Sequence, residues 1–361
     1  MQTSKKLPIN FDIKLITECW TFYRLCIVSH DVKYLPWILT HHNHLLMDSY
    51  YNCSITNVIY KEQMNYYDEV LIIREEHSCI DEIIDFIRNS IKNDKYIIVY
   101  VDLGAIHGVK KDTFHEIFIF GYNNKNSTFQ TSIVSNEGNK WIESSIPYSR
   151  FKDAYTLFYE YISENKEQFY QKYGDYNYAI TSLKLKHEYY AGEFDMHHFY
   201  SDMCAYYWGG EYERKYLDEN GTIITSKIFK NTSVYLGFLE YLNKFIAGDD
   251  EPCMGYVERA KFFKKMHEVK LMLKDKLLLI HQRCFAISDD VFLKLESLIS
   301  QLNQNVMRAI KYEYTGDIKI VNTIRDTMYE LYKLDREILY ILLGDIKTNG
   351  DIKWFYKLSK E

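Results

Sequence analysis

Proline is almost missing from this chain, with 4 in 361 residues, and no run of apolar residues approaches the roughly 20 needed to span a bilayer. Scarce proline with many Lys, Glu and Leu points to a helix-rich protein. A formal net charge of -6 excludes the basic surface that a general nucleic-acid binder needs. The 7 cysteines are odd in number, widely scattered and without a C-x-x-C, so they form no disulfide framework. Behind Met1-Gln2-Thr3-Ser4-Lys5-Lys6 there is no apolar signal-peptide core. A reducing cytoplasm, with no membrane and no nucleic acid as partner, is the expected setting.

What is present is hydrophobic enough, at 47%, for a substantial core and two domains. The stretch Ser49-Tyr50-Tyr51-Asn52-Cys53-Ser54 reads as a polar turn that presents Cys53. Ile55, Val58 and Ile59 follow at helical spacing, which predicts a helix opening at Cys53. A thiol at the first turn of a helix feels the positive end of the macrodipole, which favours thiolate. Before this turn, residues up to about Thr40 hold mixed apolar segments. His41-His42-Asn43-His44 reads as a polar loop, because neighbouring histidines point in different directions and no other metal motif accompanies them.

Beyond Cys53, Glu69 to Arg74 reads as a short strand. Ile80, Ile83, Ile84, Ile87 and Ile91 mark one face of an amphipathic helix that Asn93-Asp94 stops. Tyr96 to Val101 is a β-branched and aromatic strand ending at Asp102, and Leu103 to Phe114 reads as a loop. His115 to Asn123, Ser127 to Val134 and Trp141 to Ile146 are three further strands. The expected fold is α+β: a Cys-bearing helix on an antiparallel sheet over residues 1–147. An all-helical domain over 148–361 follows, with helices at Tyr155–Phe169, Lys184–Tyr207, Lys227–Ile246, Tyr256–Arg283, Asp289–Ile310 and Asp317–Leu343.

Cysteine chemistry needs a thiolate, a base within hydrogen-bond reach and a group that orients the imidazole. Cys53 is the expected nucleophile and His115 the expected base. Asp102 closes the strand before His115, and strands joined by a loop tend to pair antiparallel, so it is the expected orienting acid. Asn123 and Asn136, at the ends of the next strand, compete for that third role. The Cys53 N–H would serve an oxyanion hole, with Asn43, His44, Tyr50 or Asn52 as a second donor. His197-His198, flanked by Asp195 and Asp202, reads as packing or pocket wall, and His281 with Cys284 as core.

The Cys-bearing helix, the strand ending Val-Asp and the segment His115-Glu-Ile-Phe-Ile-Phe-Gly-Tyr-Asn resemble the amino-terminal domain of the butirosin-type acyltransferases. These are papain-like or transglutaminase-like (cysteine-protease-like) proteins of antibiotic gene clusters. The resemblance covers about residues 45–150, and beyond that only the helical texture. It implies a thiotemplated amide synthase. Cys53 would take an acyl group from the phosphopantetheine arm of an acyl or peptidyl carrier protein, and a small amine such as a diamine would then form the amide. The phosphopantetheine arrives on the substrate, so no cofactor and no metal is implied. Family members often carry an Asp on the strand after the histidine, and this chain does not. A cysteine peptidase and a non-catalytic carrier-binding protein are the competing classes.

Overall fold

The computed structural model describes residues 3–48, 57–60, 66–76, 79–109, 113–134, 141–173, 180–186, 193–217, 223–248, 256–349 and 355–356. In chain order its elements are β1 (Ser4–Lys6), α1 (Cys19–Val28), α2 (Leu35–Thr40), β2 (Leu45–Asp48), β3 (Asn57–Tyr60), β4 (Leu71–Glu76), α3 (Ile83–Lys92), β5 (Tyr96–Asp102), α4 (Leu103–His107), β6 (Phe114–Asn123), β7 (Thr128–Val134) and β8 (Trp141–Pro147). Then come α5 (Tyr148–Tyr173), β9 (Ile180–Leu185), β10 (Phe194–Asp195), α6 (Met196–Trp208), β11 (Glu211–Leu217), β12 (Ile223–Lys230), α7 (Val234–Ala247), α8 (Tyr256–Arg283), α9 (Asp289–Thr315), α10 (Ile318–Thr348) and β13 (Phe355–Tyr356). The chain is thus mixed α and β, with antiparallel sheets and a helical C-terminal region. Contacts divide it into two units: Met1–Asp12, Tyr23–His30 and Tyr66–Tyr189 form one, and Ile13–Phe22, Asp31–Asn65 and Tyr190–Glu361 the other. This differs from a division at 147/148.

The first unit is built on a seven-stranded sheet in the order β4-β9-β5-β6-β7-β8, with β1 also on β6. Every described pairing in it is antiparallel. All seven residues of β5 are buried, as its continuous run of β-branched and aromatic residues requires of a central strand. On α3, Ile83, Ile87 and Ile91 are buried, one per turn, while Arg88 and Asp85 pair on the outer face at 2.7 Å. Asp94, at φ 61, ends that segment beyond its C-cap Asn93. The loop expected between β5 and β6 contains the short helix α4. Gly108 closes it at φ 72, where a side chain would be strained.

Two expected helices of the later chain begin later than their sequence pattern suggests. Ile180–Leu185 is a strand that enters the first sheet between β4 and β5, and the helix expected from Lys184 starts at Met196. Lys227 belongs to β12, and the helix begins only at Val234. Residues 148–361 are therefore not all helical.

The second unit carries a four-stranded sheet in the order β11-β12-β2-β3 and the helices α6 to α10. α9 and α10 are long because their stripes repeat without interruption, Val291, Leu295, Leu298 and Leu302 on one and Val321, Ile324, Met328 and Leu331 on the other. Val58 and Ile59, expected in a helix opening at Cys53, belong to β3 (Asn57–Tyr60), paired with β2 from Leu45↔Tyr60 to Asp48↔Asn57. Cys53 itself lies outside the described residues. Among the described residues no helix is long and apolar enough to cross a membrane.

Candidate active site

A cysteine does open a helix in this protein, and it is Cys19. Helix α1 runs Cys-Trp-Thr-Phe-Tyr-Arg-Leu-Cys-Ile-Val and is buried from Thr21 to Val28. Tyr23, one turn after Cys19, is stacked on Phe118 of β6 at 5.1 Å. Its hydroxyl donates to the Glu116 carbonyl at 3.1 Å.

His115 and Glu116 are the second and third residues of β6. The His115 ring is fixed on several sides. Its Nδ1–H donates to the Glu116 carbonyl at 2.9 Å and lies 3.2 Å from the Glu116 carboxylate. The indole of Trp141, the first residue of β8, meets the ring edge-on at 5.9 Å and Tyr23 at 5.0 Å. With Nδ1 as the donor, Nε2 is the nitrogen that can take a proton. Glu116 is 4% exposed and His115 half-buried, so the ring is reachable from solvent.

The other described thiols have different surroundings. Burial pushes the Cys26 thiol far up, and the Cys284 thiol up to about 12. Both are structural hydrophobes. Cys79 is exposed, and Cys204 lies on α6. Among the described thiols only Cys19 opens a helix.

The expected site is redistributed accordingly. His115 sits where the strand pattern puts it, at the second residue of β6. Asp102 does lie beside it in the ladder, where Val101 pairs with His115 and Asp102 with Phe114. Its carboxylate, however, is the N-cap of α4: it accepts from the Gly104 N–H at 2.7 Å and the Thr113 N–H at 3.4 Å. The carboxylate at the imidazole is Glu116. Asn123 is spent on the turn after β6, accepting from the Lys125 and Asn126 N–H groups. Asn136, Tyr50 and Asn52 lie outside the described residues.

Asn43 and His44, weighed as oxyanion donors, belong to a buried network of the second unit. The Asn43 amide donates to Asp202 at 3.1 Å and to the Leu39 carbonyl at 3.3 Å, and accepts from Lys276 at 2.7 Å. His44 Nε2 meets the other Asp202 oxygen at 3.0 Å, and His198 approaches at 3.5 Å. His41 is turned toward the Trp37 carbonyl at 2.7 Å. Asn43 and His44 thus share Asp202 while His41 turns to Trp37, and the loop makes no metal cluster among the described residues. Asp195 caps α6 by accepting from the His198 N–H.

Burial pushes the Asp202 carboxyl up, but the hydrogen bonds from His44 and Asn43 and the charge of the two imidazoles outweigh it, and the net shift is downward. A carboxylate with a depressed folded pKa contributes stability above its unfolded pKa and loses it as pH falls through the folded value. Asp202→Asn should therefore cost about 1–3 kcal/mol near neutral pH, because two buried donors lose a charged acceptor. Its stability should also fall less than that of the unmodified protein on acidification to about pH 3. Urea denaturation at the two pH values measures both effects. Comparison with known families and with curated proteins yields no match for this chain.

Proposed function

We propose that this protein is a cysteine-dependent acyltransferase of papain-like type, an amide synthase that moves an acyl chain from a carrier-protein thioester to an amine. The observation that carries the proposal is His115 on β6, whose ring is held by the Glu116 carboxylate at 3.2 Å and by the edge-on indole of Trp141, as the base of a cysteine enzyme would be. The nucleophile in this reading is Cys19, in place of Cys53, and the orienting acid is Glu116, in place of Asp102.

The thiolate of Cys19 attacks the carbonyl carbon of the thioester. The developing oxyanion is stabilised by the positive end of the α1 dipole. The tetrahedral intermediate collapses as the carrier's phosphopantetheine sulfur leaves, with a proton from His115 Nε2, and the acyl group stays on Cys19. An uncharged amine then attacks the same carbon. His115 takes its proton, the amide departs and the thiolate returns. Glu116 holds the ring through Nδ1 and stabilises the imidazolium. Trp141 and Tyr23 cover one side of the ring, and such apolar cover favours amine over water as acceptor.

Incubating the protein with an acyl thioester of phosphopantetheine should leave a mass increase of one acyl group on the Cys19 peptide. Adding a primary amine should discharge it as amide. Release of free acid alone, with amine present, would replace synthesis by hydrolysis. A protein that takes up no acyl group at Cys19 is not this enzyme.

A further inference from the structure

We propose that a cavity in the second unit is a site for a small monovalent anion of chloride size. The site is made of residues of that unit alone and is independent of the acyl-transfer reading.

Helix α8 supplies Val269, Lys270, Leu273 and Lys276 to the wall, and their spacing puts them on one helix face. Helices α6 and α10 and the segment before β2 close the other sides. Every lining residue is buried, and the lining holds two lysines but no Asp or Glu. The Lys276 ammonium donates to the Asn43 side-chain carbonyl at 2.7 Å and to the His41 carbonyl at 2.5 Å. Lys270 is held at 2.7 Å by Asp335, which stands outside the lining, and donates to the Tyr206 hydroxyl at 3.1 Å. His42, also in the wall, is a neutral imidazole near pH 7, because burial and then the charge of Lys276 press its pKa well below the usual value.

A cation placed here would be repelled by both lysines. An anion is drawn to both, away from water, where unit charges attract several times more strongly than in bulk solvent. The room inside is that of about one water molecule, which admits a halide and rejects sulfate, phosphate or a chain-bearing carboxylate. Tyr206 accepts from Lys270 and keeps its own O–H as a donor to the ion. The apolar part of the wall, which includes Met203, Leu273 and Leu339, suits a weakly hydrated ion better than a strongly hydrated one. A bound halide therefore ties α6, α8 and α10 together through charge, and it does so only in the folded chain.

The test uses the full chain and measures its stability to urea as sodium chloride replaces sodium gluconate at fixed ionic strength. Gluconate is monovalent but too large for the cavity, so a saturating difference between the two salts reports the site. At chloride about ten times its dissociation constant the folded-to-unfolded ratio should rise about elevenfold, and bromide should act alike. Lys276→Met removes the ammonium, keeps most of the apolar stem and should lose that increment. Crystals soaked in sodium bromide should show the anomalous signal of bromine in the cavity. Any one of three results overturns the proposal: equal stability in the two salts, a chloride increment that Lys276→Met retains in full, or a cavity without bromine. If Lys276→Met does not fold, the salt comparison and the crystal decide on the unmodified protein.

Discussion

Cys19→Ala is expected to lower acyl transfer by more than about a thousandfold, the scale on which removing a covalent nucleophile acts. Cys53→Ala is expected to change the rate by less than about twofold, within the range of a remote substitution. The contrast follows from where each thiol is carried. Cys19 opens α1, and its helix is held on β6 by Tyr23, whose hydroxyl donates to the carbonyl of the residue after His115. Val58 and Ile59, which were to mark a helix opening at Cys53, lie instead in β3, paired with β2. Rates with a phosphopantetheine thioester and a primary amine, alongside melting curves to verify folding, decide the matter. Loss of turnover in Cys53→Ala with turnover retained in Cys19→Ala would return the nucleophile to the later position.

Why the earlier cysteine escapes a reading of the sequence is physical. Helix α1 is buried all round from Thr21 to Val28, so it has no polar face and no 3.6-residue stripe to announce it. Thr17-Glu18 before it is a weaker turn signal than Ser-Tyr-Tyr-Asn before Cys53, where polar residues imitate an N-cap. After Cys53, helical spacing of Ile55, Val58 and Ile59 competes with β-branched content, and in so short a run pairing with β2 wins. By contrast β5, β6, α3 and α8 are legible, because each has an unambiguous period or a β-branched run. Strand β9 is hidden for another reason: it is six residues long and its neighbours in the sheet are far away in sequence. His115 was legible as a strand histidine. Glu116 was legible too, as a carboxylate at the mouth of an otherwise apolar strand, a position that burial makes costly unless the charge is used. Asp102 followed by Leu-Gly carried an equally plain cue, that of a helix cap.

Lys270→Met should destabilise the protein by about 3–5 kcal/mol, the cost of leaving one member of a buried ion pair without the other. Lys270 on α8 and Asp335 on α10 both have side chains 0% exposed, and the ammonium lies 2.7 Å from the carboxylate. Lys270 also donates to the Tyr206 hydroxyl of α6 at 3.1 Å. Burial lowers the Lys270 ammonium's pKa, with the Asp335 charge pulling the other way, and the hydroxyls of Tyr206 and Tyr235 are pushed well up. Four helices, α6, α7, α8 and α10, thus meet at a single carboxylate. Removing the ammonium leaves Asp335 to be buried charged or to take a proton, and either is expensive. Removing both charges is different, since apolar groups of similar size need no solvation. Lys270→Met combined with Asp335→Leu should recover most of the loss, within about 1–2 kcal/mol of the unmodified protein. Urea denaturation of the two singles and the double gives the coupling. Additive losses in the double variant would mean that the pair contributes no more than its packing.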